Sequence, residues 1–128
     1  IHCSGWMTGL IPMFIKNAYK KEPVFGNSKV VYTIGETSFK EKLGIDFFKL
    51  ATINDYVTKK ELESFKDNNN VAMFRGGATF ADAVTFGSEK VDKKLAEEFS
   101  KVKGKKIVKY NAESDLTDYL QLYADLAK

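Results

Sequence analysis

Short strand-like runs alternate with amphipathic segments along this chain of 128 residues, and this alternation constrains the fold most strongly. The run Lys29–Ile34 is rich in β-branched residues, which predicts a buried strand ending at Gly35. Similar strands are predicted at 82–86 and 105–109, with a further one ending at Cys3. Alternating strands and helices favour a mostly parallel sheet covered by helices, so we predict a three-layer α/β domain.

The helices are predicted from apolar residues at helical spacing. They cover, in order, about residues 8–20, 71–81, 89–102 and 116–126. Pro12 is acceptable near the start of the first helix, whereas Gly76-Gly77 interrupts the second. The last helix is expected to begin at a cap formed by Ser114 or Asp115. Between residues 35 and 70 the spacing of the apolar residues becomes irregular, which predicts short helices in a long connection.

Charge and composition exclude several classes of function. The net charge is +3, and Arg75 is the only arginine beside nineteen lysines and seventeen acidic residues. Because arginine is the usual side chain for recognising phosphate and guanine, this balance argues against a nucleic-acid partner. No apolar run approaches the roughly 18 residues that would suggest a membrane span. With one histidine and one cysteine, the sequence predicts neither a transition-metal site nor a cofactor.

The single cysteine, Cys3, cannot form an internal disulfide, which favours a reducing cytoplasm. It lies in a strand, so we expect an inert buried thiol. The chain opens on Ile1 inside an apparent strand, without a methionine or a charged leader, so we expect a fragment. The final helix closes on Lys128 like a natural tail, and residues 1–128 are therefore expected to form part of one domain.

The first strand runs directly into a helix, with Trp6 at the junction. In open α/β folds such junctions hold ligands. The segment resembles bacterial glycogen synthases and plant starch synthases, whose N-terminal domain carries His-x-His-Asp-Trp-His-Thr followed by an aliphatic helix with Pro. The matching residues are His2, Trp6, Thr8, Leu10 and Pro12.

Three polar positions of that motif differ. Its second His is Ser4 and its Asp is Gly5. Its last His, which in the family lies at the sugar-nucleotide site, is Met7. Because a thioether has no proton to donate, Met7 cannot replace an imidazole as acid, base or hydrogen-bond donor.

Two later stretches extend the resemblance to about residues 2–99. Residues 19–34 are similar to a family segment that leads into Thr-Ile-His-Asn, where the His and Asn are here Gly35 and Glu36. Residues 81–88 are similar to Ala-Asp-x-Val-x-Thr-Val-Ser-Pro, with Ser88 at the Ser. The series occurs in the family's order and on the expected elements.

The resemblance implies a Rossmann-like sheet in the N-terminal domain of a GT-B glycosyltransferase, of which this chain would be the C-terminal portion. The family transfers glucose from a nucleotide sugar, such as ADP-glucose, to an α-1,4-glucan. Its diphosphate is met by a Lys-x-Gly-Gly loop and by an Arg and a Lys of the C-terminal domain, and this chain contains neither region. The implied substrate-binding positions are His2, Gly5, Trp6, Met7, Thr8, Gly35, Glu36 and Ser88. No catalytic residue is assigned.

Structural roles compete with these assignments. A lone His2 is more often a hydrogen-bonded structural residue than a ligand. Trp6 is expected to be largely buried, with its N–H satisfied, and Met7 to pack against the helix seam of Leu10, Ile11 and Phe14. Ser88 is expected in a turn or cap. The segment 75–77 is expected to be helical rather than a phosphate-binding loop.

Three hypotheses of function remain open. The first is a degenerate glycosyltransferase domain, inactive alone, that binds glucan or a partner subunit. The second is an active transferase that needs segments or a separate C-terminal-domain chain absent here. The third is an α/β interaction module with no carbohydrate role. The losses at Met7 and Gly35 favour the first, so we expect no glucose transfer by this chain alone.

Overall fold

The computed structural model describes residues 1–113 and 116–128 and contains a four-stranded parallel sheet in the order β1-β2-β3-β4. The strands are β1 (His2–Ser4), β2 (Val31–Ile34), β3 (Ala83–Phe86) and β4 (Lys106–Val108). Each strand pairs with the next one along the chain. Right-handed crossovers in one direction place the connecting helices on one face of the sheet. The predicted parallel strands are confirmed. Strands β2, β3 and β4 are shorter than their predicted runs, and β1 ends at Ser4, one residue later than predicted.

The helices differ from the prediction mainly at their ends. They are α1 (Ile11–Met13), continued by a π-helical turn (Phe14–Ala18), then α2 (Phe47–Ala51), α3 (Lys59–Leu62), α4 (Asn70–Phe80), α5 (Lys93–Ser100) and α6 (Thr117–Ala127). Two 3-10 turns, Trp6–Thr8 and Glu63–Phe65, complete the set. The first helix thus begins at residue 11 rather than 8. The proposed caps Ser114 and Asp115 lie outside the described residues.

The main core lies between the sheet and the crossover helices. Cys3, Tyr32 and Val84 are aligned across three strands and point towards these helices. They are buried together with residues of α4 and α5, among them Phe74 and Leu95. Burial raises the pKa of the Cys3 thiol, which keeps it in the unreactive protonated form.

The opposite face of the sheet is covered by α6. Leu122 is 4% exposed and packs against Val31 and Ala83. The Lys106 ammonium lies 2.8 Å from the Asp125 carboxylate at the edge of this contact. Helices therefore lie on both faces, which confirms the three-layer α/β architecture.

Helix α4 runs through Gly76 and Gly77 without interruption, which confirms that residues 75–77 are helical although two glycines interrupt the apolar pattern. Both glycines are buried, and a side chain at either would collide with an aromatic ring, that of Phe65 or Tyr32 respectively. Arg75 is paired with the Asp67 and Glu98 carboxylates at 3.3 and 3.2 Å. The segment is thus a close helix packing contact and not a phosphate-binding loop. None of the helices in the described part is long and apolar enough to cross a membrane.

Candidate functional site

Three loops meet at the carboxyl edge of the sheet, where open α/β folds bind ligands. They are Gly5–Thr8 after β1, Gly35–Glu36 after β2 and Gly87–Ser88 after β3. The pairing of Ser4 with Thr33 brings the first two together. The Gly87 N–H donates a 2.9 Å hydrogen bond to the Ile34 carbonyl, which aligns the third. We call these three loops the carboxyl edge.

The turn after β1 is fixed by its own backbone and by a buried tyrosine. Gly5 has φ +83°, a backbone conformation that residues other than glycine rarely adopt. Its carbonyl accepts hydrogen bonds from the Tyr32 hydroxyl at 2.8 Å and the Thr8 hydroxyl at 3.0 Å. Burial raises the pKa of Tyr32, so this phenol stays protonated and donates. The turn is therefore held rigidly at the sheet edge.

The two side chains that follow Gly5 have opposite environments. Trp6 packs against the main core and against a second buried cluster that contains Met13 and Phe65. It also meets the Phe39 ring edge-on, with ring centroids 4.9 Å apart. This confirms a packed indole, although part of it remains exposed. Met7 is 76% exposed, so the prediction that it is buried against Leu10, Ile11 and Phe14 is wrong.

The reason for the exposure of Met7 is the helical turn it occupies. Trp6–Thr8 form a 3-10 turn, in which successive side chains are about 120° apart. With Trp6 directed into the core, Met7 points to solvent. An exposed apolar thioether thus occupies the edge position where the motif has a histidine.

Glu36 and Ser88 are brought together although they lie 52 residues apart. The Ser88 hydroxyl donates a 2.9 Å hydrogen bond to the Glu36 carboxylate and accepts one from the Lys90 N–H at 3.0 Å. These bonds agree with the predicted turn role of Ser88. Glu36 is exposed, and its remaining lone pairs can accept hydrogen bonds from hydroxyl groups. Its negative charge opposes the approach of a diphosphate.

Packing does not require a glycine at position 35, and the absence of a side chain there leaves the edge open. A side-chain carbon there would lie 3.7 Å from the Phe74 ring, an ordinary contact distance. The carboxyl edge therefore offers backbone groups, one carboxylate and an exposed thioether. Within residues 1–113 and 116–128, no three His, Cys, Asp or Glu side chains are grouped so that they could hold a metal ion.

His2 is hydrogen-bonded through both ring nitrogens, as expected for a structural histidine, and it does not lie among the edge loops. It is the first residue of β1, and its ring lies on the α6 face rather than among the edge loops. Its Nδ1 is 2.5 Å from the Tyr123 hydroxyl and its Nε2 is 2.7 Å from the Thr33 hydroxyl. Thr33 is in turn 2.6 Å from the Thr85 hydroxyl. Partial burial and the positive amino terminus lower the pKa of His2.

Sequence reasoning missed the residues that define these surroundings. Phe39 belongs to the connection whose period drifts, so no pattern pointed to its contact with Trp6. Tyr123 is 121 residues from its partner His2. Tyr123 shares the apolar spacing of the last helix, but no pattern in the sequence linked it to His2.

Comparison with known proteins identifies one family. The sequence model of the starch synthase catalytic domain matches residues 1–110. The glycogen synthase of Photobacterium profundum is 33% identical over 84 residues, which are 66% of this chain and 16% of that protein. That of Lachnospira eligens is 35% identical over 94 residues, or 70% of this chain and 18% of that protein. That of Thermotoga maritima is 29% identical over 85 residues, which are 66% of this chain and 17% of that protein.

No solved structure matches the chain. The chain spans less than a fifth of the length of these curated relatives. Helix α6 begins at Thr117 and lies beyond the residues that the family model matches.

Proposed function

The chain belongs to the starch synthase catalytic domain family, and from this premise we propose a degenerate, glycogen synthase-related glycosyltransferase domain that is inactive alone. Its carboxyl edge faces the glucosyl unit of a nucleotide sugar such as ADP-glucose, and the acceptor is an α-1,4-glucan. Residues 1–128 form the C-terminal portion of a GT-B N-terminal domain. A separate C-terminal-domain chain is the partner that would complete the cleft.

The observation that carries the proposal is the exposure of Met7 at the carboxyl edge. Glucosyl transfer develops negative charge on the leaving diphosphate, and hydrogen-bond donors must stabilise it. Met7 has none to offer, and the Glu36 carboxylate in another loop of the carboxyl edge repels the same charge. Removing one such donor costs an enzyme about 10²–10³ in rate, so the edge can bind sugar hydroxyls but supports little transfer.

The rigid turn supports a retained binding role. Gly5, Trp6 and Thr8 are fixed by hydrogen bonds and packing, so the backbone of the edge is already in place for a ligand. The buried, free Cys3 is compatible with the reducing cytoplasm in which we place the chain. The substrate-binding positions proposed at the edge are Gly5, Trp6, Met7, Thr8, Gly35, Glu36 and Ser88, with His2 as a support of β1.

A transfer assay tests inactivity. The chain is incubated with glycogen and radiolabelled ADP-glucose or UDP-glucose, and label in polymer is compared with a sample without protein. We expect no excess. Incorporation above that background would contradict the degenerate assignment and favour an active transferase.

A binding assay tests the role of the edge. ADP-glucose is titrated into the wild type, Met7→His and the matched control Met7→Leu, with amide NMR shifts as the readout. Because residue 7 is exposed, both variants should fold as the wild type does. An imidazole can donate to the diphosphate, so Met7→His should bind several-fold more tightly and Met7→Leu like the wild type. Equal affinities for both variants would contradict diphosphate contact at this position.

A further inference from the structure

A second concave surface lies on the other side of β1, between the sheet and α6. This groove has a volume of about 440 Å³ and is lined by His2, Ser4, Thr33, Leu116, Tyr119, Leu120 and Tyr123. We call it the α6 groove. Its size falls within the roughly 300–1,000 Å³ typical of small-molecule sites.

The floor of the α6 groove is fixed by a chain of hydrogen bonds. Tyr123, His2, Thr33 and Thr85 are linked in sequence through 2.5, 2.7 and 2.6 Å contacts. The Tyr119 ring stacks near His2, with centroids 5.9 Å apart and planes 29° apart. Because these side chains are held by one another, their rings and hydroxyls keep their positions without a ligand.

Within residues 1–113 and 116–128, the side chains that line the groove are uncharged. They include no Lys, Arg, Asp or Glu, and burial favours the neutral form of His2 by lowering its pKa. A nucleotide diphosphate would find no counter-charge here, and neither would an acidic or a basic peptide. The ligand that fits is therefore an uncharged one.

The remaining chemistry is apolar with scattered hydroxyl groups. Leu116 and Leu120 are 64% and 66% exposed, and Tyr123 is 41% exposed. Within the described residues, the Ser4 and Tyr119 hydroxyls have no hydrogen-bond partner in the protein. A sugar ring has the matching character, because it presents apolar C–H faces and a rim of hydroxyls.

We propose that the α6 groove binds an uncharged glycan, specifically a short stretch of α-glucan. The choice of α-glucan among neutral glycans rests on the proposed function. The groove itself does not, because its wall is α6, which lies beyond the family-matched residues 1–110. The glucan would then be held beside β1 while the carboxyl edge lies at the end of the same strand.

The test titrates maltoheptaose, an α-1,4-linked glucose oligomer, into the whole chain, with affinity from calorimetry and location from amide NMR shifts. Tyr119→Ala and Leu120→Ala remove side chains that line the groove, and alanine keeps the helix intact because it is a good helix former. Tyr110→Ala is the matched control, since Tyr110 is 40% exposed and does not line the groove. Circular dichroism melts establish that each variant is folded.

We expect saturable binding with shifts in β1 and α6, weakened about fivefold or more by Tyr119→Ala and Leu120→Ala and unchanged by Tyr110→Ala. Absence of binding at millimolar maltoheptaose, or equal binding by all variants, would overturn the proposal. So would sedimentation showing a dimer that Leu120→Ala dissociates. ADP-glucose binding that responds to residue 7 but not to residue 119 separates the edge from the groove, so either proposal can fail alone.

Discussion

Replacing Gly77 by Ala tests whether the paired glycines of α4 serve packing or ligand binding. In an exposed helix this change stabilises a protein by about 0.5–1 kcal/mol, because alanine restricts the unfolded chain and favours the helix. Here the added carbon would collide with the Tyr32 ring. That ring is fully buried, and its hydroxyl is bonded to the Gly5 carbonyl at 2.8 Å.

The size of the effect follows from these contacts. Forcing one carbon into a close-packed core costs about 1–3 kcal/mol. If the Tyr32 ring moves to make room, its hydrogen bond to Gly5 is lost, which costs about 1 kcal/mol more. Subtracting the helical preference of alanine, we expect Gly77→Ala to lower the free energy of unfolding by about 1–3 kcal/mol.

Urea unfolding at neutral pH, followed by circular dichroism, measures this quantity. Gly35→Ala is the matched control, because its added carbon would lie 3.7 Å from the Phe74 ring without collision. The control should change the free energy of unfolding by less than about 0.5 kcal/mol. Amide shifts at Gly5 should move in Gly77→Ala and not in a distant loop. A Gly77→Ala protein as stable as the wild type, or more stable, would refute the packing argument.

Two further predictions concern the α6 face and the acid stability of the fold. Leu122→Ala should lower the free energy of unfolding by about 2–3 kcal/mol in urea titrations, because Leu122 is 4% exposed against the sheet; a loss under about 0.5 kcal/mol would mean that α6 is not firmly docked. For Asp82, burial disfavours the charge, but hydrogen bonds from Lys16 and the Val30 N–H outweigh it and lower the pKa below 3.8. The unfolded chain then binds more protons, so this stabilisation is present above pH 3.8 and is lost on further acidification. Thermal melts of the wild type and Asp82→Asn between pH 5 and pH 2 test this. The melting temperature of the variant should fall less steeply with acidification than that of the wild type, and parallel plots of melting temperature against pH would contradict the assignment.

The architecture could be predicted because its signals are local. The β-branched run around Tyr32 predicts a strand, and the amphipathic face of α5 predicts a helix, each from a few neighbouring residues. The handedness of crossovers then limits how parallel strands can be arranged. Strand ends were less predictable, since pairing with neighbours decides where a strand stops, as at Val31 and Val108.

Met7 shows where a sequence pattern misleads. The spacing from Met7 to Phe14 fits a helix of 3.6 residues per turn, but residues 6–8 adopt a 3-10 turn after Gly5. One tighter turn rotates a single side chain from the seam to solvent. A positive φ at Gly5 is compatible with many turns, so glycine alone did not reveal this one.

Strand β1 explains why one motif serves two surfaces. Its side chains alternate, so Cys3 enters the main core while His2 and Ser4 face the α6 groove. The chain then turns at Gly5 and presents Met7 at the carboxyl edge. His2 matches a position of the family motif. Its hydrogen-bond partner Tyr123, however, lies outside residues 1–110, which the family model matches. Because the α6 groove lies against side chains of β1 and the carboxyl edge is formed by the loop that follows it, substitutions at 7 and at 119 should act on nucleotide sugar and on glucan independently.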